Sequence, residues 1–150
     1  MGIVLTEKDY QPLATYTFQH WNERTGPAFC NMRPLTEDAA RRVWQRACVM
    51  TQAAWADGEG NHRFDLQNSD WDGPRVRDWL LACVPERDHR VIVCFQPQSA
   101  ISVPWGDLCD HWLLLLWTGG CAWPADERWV MVHDGEQFVF GKRADENNSR

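Results

Sequence analysis

The stretch RVIVCF, Arg90 to Phe95, constrains the fold more than any other part of the chain. A strand with one wet face alternates apolar and polar residues. One that lacks alternation is covered on both faces. RVIVCF therefore reads as a central strand with apolar layers on either side. Gln96-Pro97-Gln98 turns the chain after it, and Ala100 to Val103 reads as a second strand. Arg128 to His133 and Gln137 to Phe140 flank Asp134-Gly135, a strong hairpin signal. Strands joined by tight turns pair antiparallel. A further short strand is expected over Thr15 to Trp21.

The layers that cover such a sheet are legible as helices. LTEDAARRVWQRACVMTQAAW opens with Thr36 as N-cap and with Glu37 and Asp38 in the first turn. Ala40, Val43, Trp44, Ala47, Cys48, Thr51, Ala54 and Trp55 recur at helical spacing, whereas Arg41, Arg42, Gln45 and Arg46 lie off that stripe. A polar loop, Gly58 to Gly73, leads to a second helix that starts near Pro74 and buries Val76, Trp79, Leu80 and Cys83. Near the N-terminus, Thr6 suits the cap of one turn over Glu7 to Tyr10, which Pro12 stops. Helices mainly in the N-terminal half, packed on a small antiparallel sheet from the C-terminal half, make the fold class α+β. A length of 150 residues suits one domain, which buries roughly 70% of its unfolded surface without staples. That domain is expected over 1–143, with 144–150 as a polar tail.

VPWGDLCDHWLLLLW, Val103 to Trp117, sets Cys109, Asp110 and His111 side by side. On a helix starting at Pro104, Trp105, Leu108, Cys109, Trp112 and Leu116 share one side, while Asp107, Asp110 and His111 face away. Cys109 and His111 then diverge, which separates a nucleophile from its base and breaks a metal pair. Leu113, Leu114, Leu115 and Trp117 widen the apolar arc until it nearly surrounds the helix. Such a helix is either wrapped by its own domain or touches a partner.

Twenty-one acids against 15 bases give a formal charge of -6. This argues against a phosphate-backbone binder, so no nucleic acid is expected. It favours a basic partner. The longest apolar run is too short to span a membrane, and no secretory signal is visible, so a cytoplasmic location and free thiols are expected. Cys48, Cys83, Cys94 and Cys109 fall on apolar faces, whereas Cys30 and Cys121 fall in loops. With no CxxC pair and no zinc spacing, neither a metal nor another cofactor is expected. Ten tryptophans are too many to bury fully in one small domain. Half-exposed ones often anchor partners. Asp70, Trp71 and Asp72 form an acidic aromatic spot in the polar loop. With Leu114 and Trp117 they are the candidate partner-binding residues.

DYQPLATYTFQH, MRPLTEDAARRVW, VPWGDLCDHW and the FVFGKR end together resemble a small bacterial family known only as a domain of unknown function. The resemblance implies no activity, cofactor or catalytic residue, and the chain departs from it at LLLLW. In size, charge and architecture the chain also resembles small acidic immunity proteins that neutralise bacterial toxins. The preferred reading is therefore not an enzyme. It is a non-catalytic protein-binding protein, most concretely an immunity protein that masks a basic toxin domain. One alternative is an enzyme with His62 and Asp65 as acid–base groups in the 58–73 loop. Another is a structural protein that self-associates, as a homodimer for instance, through Leu113 to Trp117.

Overall fold

Burial of RVIVCF on both faces is met, among the described residues, by a seven-stranded, antiparallel sheet. The structure is a computed structural model describing residues 3–12, 31–55, 61–67, 74–116 and 119–142. In chain order the strands are β1 (Arg33–Pro34), β2 (His62–Asp65), β3 (Arg90–Gln96), β4 (Ser99–Pro104), β5 (Gly120–Pro124), β6 (Trp129–His133) and β7 (Gln137–Lys142). In space the order is β1-β4-β3-β5-β6-β7-β2. The helices are α1 (Glu37–Trp55), α2 (Arg75–Cys83), α3 (Trp105–Asp110) and α4 (Trp112–Leu115). The fold is α+β, as the sequence implies.

Strand alternation divides the apolar residues between two cores. Val91 and Val93 of β3 point to the side of α2, α3 and α4, while Ile92 and Cys94 point to the side of α1. The first core is aromatic, built on Trp105, Trp112, Trp129, Phe138 and Phe140. The second is made of small residues on the helix, with Ala39, Ala40, Ala47 and Ala54 lying against the sheet. The Ala39 amide donates to Thr36 Oγ1 at 3.2 Å, so Thr36 does cap α1. A single 3-10 turn over Glu7–Asp9 sits beside this cap, where the Thr36 amide donates to the Asp9 carbonyl at 2.8 Å.

Several expectations are corrected. The stripe on α1 is rotated: Ala39 and Met50 are buried, whereas Cys48 is exposed and Trp44 only half-buried. The large indole at position 44 draws the apparent apolar face towards itself, but the face that fits the sheet is the one with small side chains. Cys83 is half-buried rather than buried. Cys121 is buried in β5 rather than exposed in a loop. Within the expected 58–73 loop, residues 62–65 form β2 against β7. The helix foreseen from Pro104 onward is two helices, interrupted at His111 (φ -125°, ψ 28°). Asp134-Gly135 does turn β6 into β7, with Gly135 at φ 97°, where a side chain would be strained. The strand expected over Thr15 to Trp21, the loop residue Cys30 and the tail 144–150 lie outside the described residues.

Candidate functional site

Cys109, Asp110 and His111 are held apart by the core. Cys109 is fully buried, and burial pushes its thiol far above the ordinary range. Asp110 points outward to an ion pair with Arg87. His111 separates the two short helices, its amide donating to the Asp107 carbonyl at 3.1 Å. Trp105, Leu108, Trp112 and Leu116 are buried with Cys109, as helical spacing requires. Trp105 also satisfies its indole N–H, donating from Nε1 to the Val84 carbonyl at 2.8 Å. Desolvation raises Cys83 to about 11. Neither Cys83 nor Cys109 is thus a ready thiolate at neutral pH.

The acid–base reading of the 58–73 stretch meets a geometric obstacle. His62 and Asp65 are three residues apart on β2, so their side chains leave opposite faces of the strand. The His62 ring stacks with Phe140 at 6.1 Å on the aromatic side. Asp65 lies opposite Gln137 and belongs to the other side. Among the described residues, no group of three or more His, Cys, Asp or Glu side chains is placed to hold a metal ion.

Asp70, Trp71, Asp72 and Trp117 lie outside the described residues, as does the side chain of Leu114, whose backbone belongs to α4. The residues flanking these two segments are anchored on either side of one turn. Before the first segment, the Leu66 amide donates to the Glu136 carbonyl at 2.9 Å. After the second, Gly119 rests on the His133 carbonyl so closely that a Cβ there would lie 2.9 Å from it. Both anchors therefore sit at the turn joining β6 to β7. Further along, Trp79 of α2 and Trp112 of α4 close on the same ring, Phe138, at 6.4 and 5.4 Å.

That turn is acidic. Asp134 and Glu136 are exposed. Asp134 Oδ1 accepts from the amides of Glu136 and Gln137 at 2.9 and 3.0 Å. Partial burial works to raise its carboxyl, but these amides and the Gln137 side chain outweigh it, so the net shift is downward and the charge is kept. His133, beside it, is buried against Phe138 (4.3 Å, stacked) and Trp112 (6.0 Å, edge-on). Burial pushes its pKa below the ordinary 6.5.

On the opposite face the basic residues of α1 are spent within the fold. Arg41 pairs with Glu37, Arg42 with Asp9, and Arg46 grips Glu127 through both carboxylate oxygens, with Nε to Oε2 at 2.7 Å. Glu127 is 2% exposed and holds a left-handed backbone, φ 57°, which is uncommon outside glycine. Sequence reading missed this pair. Its signal was an arginine on the polar side of α1 with no acid at helical spacing. On the same helix Trp44 is partly exposed and Cys48 and Val49 are exposed.

Comparison with protein-family models, curated proteins and solved structures finds no match. Among the described residues, no helix is long and apolar enough to cross a membrane.

Proposed function

We propose that this is a non-catalytic protein-binding protein, and that its concrete role is to mask a basic toxin domain, as an immunity protein does. The observation that carries the reading is the convergence at the β6–β7 turn. Leu66, shortly before Asp70, Trp71 and Asp72 in the chain, and Gly119, shortly after Trp117, both lie against the turn that carries exposed Asp134 and Glu136. Carboxylates steer a basic partner, and tryptophans supply anchor area once it has docked. The charge balance agrees. Among the described residues, seven arginines each pair with one acid, so pairing consumes both signs equally and leaves the surplus of acids intact.

The test is to express the product of the adjacent reading frame with and without this chain, then measure the affinity of the purified pair. Protection of growth together with one-to-one binding is the expected result. Trp71→Ala should then lose about 2 kcal/mol or more of affinity, mainly through faster dissociation. Replacing Asp70, Asp72 and Glu136 by their amides should slow association and flatten its salt dependence. A Trp71→Ala protein that melts early but binds normally while folded would make Trp71 a core residue and remove it from the contact surface.

A further inference from the structure

We propose that Cys94 and Cys121 are a reversible oxidation site, closing a disulfide between adjacent strands in the middle of the sheet. The two residues face each other directly in the β3–β5 ladder. Both side chains project to the α1 side, where both are buried, at 1% and 6% exposure. Directly opposed residues of an antiparallel pair have Cα atoms about 4.5 or 5.5 Å apart, depending on whether the pair is hydrogen-bonded. Either separation falls within the usual disulfide span of about 4.4–6.8 Å. The register sets the two thiols side by side on that face. The neighbouring Cys121 side chain, and then burial, drive the Cys94 pKa upward, so Cys94 rests as a neutral thiol.

Position and chemistry suggest a labile bond rather than a permanent staple. Cβ atoms of opposed strand residues stand about 4.5–5.5 Å apart, whereas a relaxed disulfide prefers about 3.5–4.5 Å. Closure therefore pulls the strands inward, and the strain raises the potential towards easy reduction. Room to yield is limited next to Cys121, because a Cβ at Gly120 would lie 2.8 Å from the Cys94 carbonyl oxygen. Glycine at that position permits the close approach.

Burial restricts the oxidant to a small one, and hydrogen peroxide fits. Cys121, the slightly more exposed of the two residues, loses its proton to the departing oxygen as its sulfur attacks one peroxide oxygen. The O–O bond breaks, a sulfenic acid forms and water leaves. The Cys94 sulfur then attacks the sulfenic sulfur, the S–S bond forms, and a second water carries away the hydroxyl and the thiol proton. The two sulfurs lose two electrons together and the peroxide gains them. A thiol reductant reverses the step by exchange.

The experiment exposes the folded full chain to hydrogen peroxide, alkylates the remaining thiols in denaturant and maps the peptides. The expected product is one linkage joining the Cys94 and Cys121 peptides, lighter by two hydrogen atoms and lost on treatment with a thiol reductant. Exposed Cys48 serves as the internal gauge of dose. Cys48→Ser should leave the linkage in place, whereas Cys121→Ser should leave Cys94 open to alkylation. Free Cys94 and Cys121 at a dose that has oxidised Cys48 would overturn the proposal. So would a linkage between Cys48 and either of them, or one that forms only in denaturant.

Discussion

The two faces of the sheet solve the same covering problem in opposite ways. One long helix lies on the first face and brings alanines to the contact, so α1 sits low over β3, β4, β6 and β7. Three short helices lie on the second, and the gaps between them are filled by rings: Trp105 meets Trp129 edge-on at 4.9 Å, and Trp129 meets Phe140 at 5.6 Å. A close helix needs small side chains and gains its fit from shape. A broken layer needs bulky side chains and gains its fit from volume. The aromatic face should therefore suffer most from deletion of atoms and the helical face from their addition.

The largest effect is expected at Trp105, fully buried and hydrogen-bonded to Val84. Trp105→Ala should cost about 4 kcal/mol in urea denaturation. Next is the rim of the other face. Glu127→Ala leaves Arg46 beside a site built for its carboxylate, and loss of one partner of a buried pair costs about 3 kcal/mol. Replacing both by apolar residues should cost less than the single change, since no charge is then left alone. Ala40→Leu, on the fully buried side of α1, should cost about 2 kcal/mol through overpacking. If Ala40→Leu were neutral, α1 would not sit as close as its alanines imply, and the contrast between the faces would fail.

The smallest effects separate the faces by pH. His133, on the aromatic side, has its pKa lowered by burial, so the fold favours the neutral ring. Its contribution is fully present above the ordinary 6.5 and is lost as pH falls below it. Asp9, at the edge of the α1 side, is held low by the Thr6 amide, with burial opposing and Arg42 assisting. Its contribution is fully present above the ordinary 3.8 and is lost as pH falls through the lower folded value. Stability measured against pH should decline in two stages. Asp9→Asn should shrink the second stage and spare the first. A profile flat from neutrality down to the carboxylate range would remove His133 from the account.

Legibility in the sequence followed the same division. β3, β4, β6 and β7 announce themselves by β-branched runs and by Asp134-Gly135, because backbone preference and packing agree there. β5 reads Gly-Cys-Ala-Trp-Pro, with no β-branched residue, and is a strand only because β3 and β6 lie on either side of it. β2 reads His-Arg-Phe-Asp inside a polar stretch, and only its pairing with β7 makes it a strand. The inward side of α3 and α4 was legible from helical spacing, while the break at His111 was not. The placing of Leu66 and Gly119 at one turn could not be read from spacing, because it depends on β2 and β5 lying at either side of the β6–β7 hairpin. The contact residues Asp70, Trp71, Asp72 and Trp117 themselves lie outside the described residues.

The bond between Arg46 and Glu127 spans 81 positions of the chain, and this sets a timetable. During synthesis α1 is complete long before β6 and β7, the strands that it must cover, have left the ribosome. At about 5–20 residues per second the interval is on the order of 4–16 s. Until β3 and β4 emerge the row of Ala40, Val43, Ala47 and Met50 has no sheet to lie on, and its cover stays incomplete until β6 and β7 follow. The nascent chain therefore carries a bare apolar helix for seconds, and a chaperone that recognises such helices would find it before the sheet does.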